Sequence, residues 1–119
     1  MPIETPWIYK ILTDDQWSMM QLDGQLVGAP IDIADGYIHF STANQLSETL
    51  AKHFAGQAGL QLLQVAAENC GSDLKWEVSR NEELFPHLYA SLPLEWVNAD
   101  WPLALKDGVH QLPDLQGVG

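Results

Sequence analysis

Two helix-period segments in the first half of the chain, each opened by a capping signal and closed by glycine, are followed by a run of strand-like segments with no further long helix. That order constrains the fold more than any other feature. Repeated β-α-β alternation would predict a parallel sheet, whereas strands that follow each other through short Gly, Asn and Pro turns predict an α+β domain with a mixed or antiparallel sheet and two main helices. The expected unit is one domain over residues 1–106, with a Gly-, Pro- and Gln-rich tail over 107–119 that is loosely held.

The local signals behind this order are specific. Trp7-Ile8-Tyr9-Lys10-Ile11-Leu12 has the aromatic and β-branched density of a strand. Thr13-Asp14-Asp15-Gln16 matches a capping box and Gly24 a helix stop, so residues 14–23 are predicted helical, with Trp17 and Met20 facing inward and Met19 beside them. Residues 25–36, with Gly28, Pro30 and Gly36, read as a connection holding at most one helical turn. A short strand over 37–40 runs into a second helix opened by Ser41 or Thr42, with Leu46, Leu50 and Phe54 at four-residue steps and Gly56 at its end. Strands are then predicted over 60–67, 74–79 and 94–99.

Composition narrows the partners. With 16 Asp and Glu against 5 Lys and Arg the net charge is -11, which repels nucleic acid and anionic membrane surfaces over a Debye length of roughly 8 Å. A pocket can still hold a small anion, because the start of a helix creates a local positive field. The single Cys70 has no partner for an internal disulfide, and there is neither a leader pattern nor an apolar run of membrane length, so a cytoplasmic location is expected. Cys70 sits in an acidic turn, Glu68-Asn69-Cys70-Gly71-Ser72, which raises a thiol pKa and makes it a spectator.

The best site candidate is Gly36-Tyr37-Ile38-His39-Phe40-Ser41-Thr42. If Ile38 and Phe40 face the core, strand alternation turns His39 to a cleft, where it can bond a ligand or exchange protons near neutral pH; a histidine held on a backbone carbonyl would look the same in sequence. His87, in Phe85-Pro86-His87-Leu88-Tyr89, is read as a loop histidine positioned by its rigid neighbours, either for recognition or for turn packing. Glu77, between Trp76 and Val78, alternates away from two apolar residues and is either a cleft carboxylate or part of a solvated sheet face. His53 and His110 read as packing or partly exposed residues. No metal is expected, since the spacings of zinc motifs are missing, and neither GxGxxG nor a P-loop occurs.

Taken together, Trp7-Ile8-Tyr9-Lys10-Ile11, Asp35-Gly36-Tyr37-Ile38-His39-Phe40-Ser41-Thr42, Trp76-Glu77 and Phe85-Pro86-His87-Leu88-Tyr89 resemble the family called domain of unknown function 952, over about the first 100 residues. That family in turn resembles, more distantly, the ADP-ribosyltransferase fold, a split antiparallel sheet that clasps NAD. The resemblance implies that Tyr9 lies on the first cleft strand and His39 on a strand near nicotinamide, with Glu77 as the catalytic carboxylate. His39 and Glu77 are then the expected catalytic pair, and Tyr9, Lys10, Ser41, Thr42, His87 and Tyr89 the expected ligand contacts.

Two positions depart from the pattern that the resemblance implies: Lys10 stands where histidine is expected in many relatives, and Ala90-Ser91 where Gly-Pro is expected. Lys10 with the Ser41-Thr42 helix start favours an anionic phosphate. The expected partner is a small molecule, NAD or a related ribosylated compound, acted on by a transferase or hydrolase. The other readings are a non-catalytic module that uses the same cleft, and an interaction subunit that presents Trp96 and Trp101.

Overall fold

Thr13 ends one element and begins the next, which fixes the first corner of the chain. Its hydroxyl accepts from the Gln16 N–H at 3.1 Å while the Gln16 amide oxygen accepts from the Thr13 N–H at 2.9 Å, the reciprocal pair of a capping box. The computed structural model describes residues 7–115. Its elements are β1 (Trp7–Thr13), α1 (Asp14–Asp23), β2 (Gln25–Leu26), α2 (Pro30–Asp35), β3 (Ile38–His39), α3 (Leu46–His53), β4 (Leu60–Ala66), α4 (Ala67–Cys70), β5 (Leu74–Val78), β6 (Leu84–Leu88), β7 (Leu92–Pro93), β8 (Val97–Lys106) and β9 (Val109–Gln111). Every strand pairing among these is antiparallel.

The strands form a four-stranded sheet in the order β1-β4-β8-β9, a three-stranded sheet β3-β6-β5, and the short pair β2-β7. The two larger sheets meet at one bridge, where the Tyr9 N–H bonds the Ser41 carbonyl at 2.8 Å and the Ser41 N–H returns to the Tyr9 carbonyl at 2.9 Å. Both faces of the four-stranded sheet are covered. Ile8, Leu12, Leu63 and Val65 pack with Met20, Ile38, Leu88 and Leu92 on one side, and Tyr9, Ile11, Leu60 and Leu62 pack with Leu46, Leu50 and Leu103 on the other. Six of the seven β4 residues are therefore buried, including Gln61 and Gln64. Each of these glutamines bonds a side chain of β8: Gln61 reaches Asp100 at 2.7 Å, and Gln64 accepts from Asn98 at 2.8 Å.

Several expectations change. Met19 is exposed, so the buried stripe of α1 is Met20 with half-buried Trp17. Within residues 25–36 the chain makes one two-residue strand, paired with β7, and a six-residue helix rather than a connection with one turn. Ala43–Gln45 is a 3-10 turn that precedes α3. Residues 94–96 form a 3-10 turn before β8, which runs on to Lys106, turns at Asp107-Gly108 and pairs with β9. Phe85, Pro86, His87 and Leu88 lie in a strand and not a loop, with Tyr89 just past its end. It is the central strand of its sheet, which proline ordinarily forbids. The solution lies in register: the Phe40 N–H bonds the Pro86 carbonyl at 3.0 Å, so the missing Pro86 N–H falls opposite Phe40, one residue beyond the end of β3, and the pairing with β5 loses nothing. Trp96 and Trp101 are half-buried against the two core clusters, and the tryptophan with the exposed face is Trp76. Among the described residues no helix is long and apolar enough to cross a membrane.

Candidate functional site

The register that accommodates Pro86 also builds the site. Because Phe40 and Pro86 form the hydrogen-bonded position of the β3-β6 ladder, His39 and His87 occupy the neighbouring non-hydrogen-bonded position, where opposed side chains come closest. Their rings lie edge to face with centroids 5.5 Å apart. Tyr37, two residues before His39 on the same face, stacks on His87 at 4.1 Å and contacts Tyr89 at 5.1 Å. Ile38 and Phe40 point the other way into the core, as alternation requires.

Carboxylates clamp both histidines. His39 Nδ1 lies 2.6 Å from Asp32 Oδ1 and its Nε2 lies 2.9 Å from Asp35 Oδ2, both supplied by α2. His87 Nδ1 lies 2.7 Å from Glu77 Oε1, and the Tyr89 hydroxyl donates to that same oxygen at 2.8 Å. These two bonds hold the Glu77 carboxyl below its ordinary value, and the bond to Glu77 pushes the Tyr89 phenol up to about 12.

Asp32 is the anchor of the arrangement. Only 1% exposed, it accepts from Lys10 Nζ at 2.9 and 3.1 Å, from the Ala29 N–H at 2.8 Å and from the His39 N–H at 3.1 Å, besides facing the His39 ring. Burial alone would raise its pKa, but the His39 and Lys10 bonds and the Ala29 N–H outweigh burial and hold it at about 2. Lys10 is there because β1 alternates: Ile8, Lys10 and Leu12 share the core face, and a buried lysine on that face needs a counter-charge. Burial lowers the Lys10 pKa, and Asp32 opposes that fall. Gly28 lets α2 approach, since it has φ +146° and a Cβ there would lie 2.8 Å from the Asp32 Cβ.

A cleft of about 520 Å³ opens where the two sheets meet. One wall is Tyr9, Lys10 and Ile11 of β1; the other is His39, Phe40 and Ser41 with Phe85 and His87 of β6. Thr49, His53 and Phe54 close it from the α3 side, and Ile31 and Asp35 from α2. Of the residues predicted from sequence, Tyr9, Lys10, His39, Ser41 and His87 line this cleft, while Thr42, Glu77 and Tyr89 do not. Glu77 is joined to the wall through the His87 ring. The Ser41 N–H serves the Tyr9 bridge and the Thr42 N–H bonds the Gln45 side chain at 2.9 Å, so neither amide is free to hold an anion. The Ser41 hydroxyl lies 3.1 Å from that of Thr49. The Tyr9 hydroxyl accepts from Gln64 at 3.0 Å; burial raises its pKa and that bond opposes the rise. Among the described residues no group of His, Cys, Asp and Glu has the arrangement of a metal centre.

The profile of the family described as "Protein of unknown function (DUF952)" matches residues 11–99. The chain belongs to the DUF952 family. The matched span contains His39, Glu77 and His87 and begins just after Tyr9 and Lys10. This DUF952 protein is 48% identical to protein CC0527 from Caulobacter crescentus, whose crystal structure superposes with a TM-score of 0.85 over 88% of this chain and 93% of that one. The solution structure of CC0527 gives a TM-score of 0.82 at 46% identity, over 95% of this chain and 98% of that one. No curated protein matches.

Sequence reasoning missed Asp32, and gave no individual role to Asp35 or to Tyr37, although Tyr37 lies in the candidate segment. The first was within reach: Pro30-Ile31-Asp32 places proline at a first helical position and a carboxylate two residues on, where it caps its own helix. Its pairing with Lys10, 22 residues away, has no local signal.

Proposed function

We propose that this DUF952 protein binds a ribosylated small molecule, NAD foremost, between its two sheets and acts on it as an ADP-ribosyltransferase-like enzyme. The observation that carries the reading is the pair of carboxylate-clamped histidines, His39 and His87, side by side on the wall of a 520 Å³ cleft beside Lys10. That volume lies within the range of small-molecule sites. Phe54 and Phe85 give the cleft apolar surface for a planar ring, while the His87 imidazole and the Ser41 hydroxyl offer bonds to a sugar. The distant resemblance to the ADP-ribosyltransferase fold selects NAD among such ligands. In that chemistry the glycosidic bond to nicotinamide breaks with its electron pair leaving on nicotinamide, and a carboxylate stabilises the oxocarbenium-like ribose. Asp35 is the carboxylate on the wall, and Glu77 acts through His87.

The test is thermal denaturation with NAD, ADP-ribose and nicotinamide, for the wild type and for His39→Ala, followed by chromatography of NAD over time. A ligand at 100 times its Kd stabilises the fold by about 2.7 kcal/mol. A shift that His39→Ala loses, with NAD consumption that Glu77→Gln abolishes, supports the reading. No shift with any of the three ligands rejects it. One observation favours binding without turnover: Glu77 stands off the cleft wall and both His39 ring nitrogens already face carboxylates. On that second reading the thermal shift appears and NAD remains intact.

A further inference from the structure

The histidine pair has four ring nitrogens, and three are engaged. Both His39 nitrogens face carboxylates, at 2.6 and 2.9 Å, and His87 Nδ1 faces Glu77 at 2.7 Å. Among the described residues nothing bonds Nε2 of His87, although its side chain is only 5% exposed. A buried polar atom ordinarily has a partner, and one without a protein partner next to a cleft is open to a ligand. The ring lines the cleft while Glu77, on its Nδ1 side, does not, which leaves Nε2 as the nitrogen available to whatever enters.

The tautomer follows from the acceptors. Glu77 is a carboxylate and can only accept, and Tyr89 already donates to the same oxygen. The proton of a neutral His87 ring must therefore sit on Nδ1, leaving a lone pair on Nε2. We propose that Nε2 of His87 is the proton acceptor of the cleft, taking a proton from a hydroxyl of the bound molecule or from a bound water, with Glu77 and Tyr89 as positioning residues that hold its tautomer. The O–H bond breaks, the oxygen keeps the electron pair, a new N–H bond forms, and the resulting imidazolium is balanced by the Glu77 charge. His39, saturated by Asp32 and Asp35, holds the wall in place. The proposal rests on the cleft being a ligand site and not on the ligand being NAD.

The experiment reads the tautomer directly, without ligand. The full chain, labelled with nitrogen-15, is recorded in long-range proton–nitrogen spectra well above the ordinary imidazole pKa of about 6.5, with His87→Gln to assign the signals. The wild type is expected to show His87 with its proton on Nδ1 and an unprotonated Nε2. Glu77→Ala is expected to convert it to the Nε2–H form that free side chains favour, at unchanged far-ultraviolet circular dichroism; Tyr89→Phe is expected to mix the two. A wild-type ring protonated at Nε2, or one whose tautomer is the same in Glu77→Ala, overturns the proposal. Because no nucleotide enters this measurement, failure of NAD or ADP-ribose to bind counts against the proposed substrate alone.

Discussion

Replacing Asp32 by asparagine is the sharpest perturbation this architecture offers. The amide keeps one acceptor oxygen, enough for the Ala29 N–H at one carboxylate position or the His39 N–H at the other but not both, and it removes the charge opposite Lys10. Among the described residues Asp32 is the only partner of the Lys10 ammonium, which shares its strand face with Ile8 and Leu12. Breaking a buried ion pair from one side costs about 3–5 kcal/mol, because the surviving charge stays buried. At about 4 °C per kcal/mol for a chain of this size, the midpoint should fall by about 12–20 °C. Removing both partners leaves no orphan charge, so Lys10→Met with Asp32→Asn should recover the part of that loss that the unpaired ammonium causes. Urea and thermal unfolding of the wild type, both single variants and the double variant complete the cycle. A single Asp32→Asn loss under about 1 kcal/mol, or a double variant as unstable as the summed singles, would refute the reasoning.

The same cycle has a pH signature. Asp32 titrates at about 2 in the fold against an ordinary 3.8, so between those values the unfolded chain binds more protons. Stability is full above the ordinary carboxyl value and falls as acid is added through the folded value, by about 2 kcal/mol from this residue. Asp32→Asn should lack that acid limb. For Lys10 the folded value lies below the ordinary 10.5, and loss of Asp32 lowers it further, so the unfolded state again holds the extra proton. The Asp32→Asn deficit should therefore narrow as pH rises toward 10.5.

Three further outcomes are expected. Gly28→Ala forces a Cβ against the Asp32 Cβ at a φ of +146° and should cost more than about 1 kcal/mol, read by urea unfolding together with loss of the acid limb. Leu88→Ala empties a fully buried position on β6 opposite Ile38 and should cost about 2–5 kcal/mol in the same assay. The Cys70 thiol, pushed up to about 11 first by burial and then by the Asp73 charge, should stay unreactive to a disulfide reagent until the chain unfolds; native-state labelling at the rate of a free thiol would contradict its placement.

What the sequence made legible is what neighbours in the chain decide. The capping box at Thr13, the α1 stop at Gly24, the β1 and β4 strands and the orientation of His39 all follow from contacts within a few residues, and the structure contains each of them. Strand β6 did not read as a strand because Pro86 argues against a central position, and only the length of β3, ending before Phe40, makes that position harmless. Trp76 and Val78 looked like a core face that would turn Glu77 outward, yet both are exposed and Glu77 shares its face with His87 and Tyr89. Periodicity identifies the two faces of a strand; it does not say that β5 lies at the sheet edge, where Trp76 and Val78 are exposed on the same face on which Ile38 and Leu88 are buried.

Lys10 shows how a residue read alone is explained by a partner distant in the chain. Read from sequence alone, Lys10 suggested a site for an anionic phosphate. Its partner gives a different reason. Asp32 must be ionised to accept from the Ala29 N–H, the His39 N–H and the His39 ring together, and burial opposes that ionisation. Position 10 therefore needs a donor that reaches the carboxylate, and the Lys10 ammonium lies within 3.1 Å of both of its oxygens. The charge at position 10 then sets the geometry of the histidine wall from behind, through Asp32 and His39, and substitutions there should move the His39 ring before they touch any ligand.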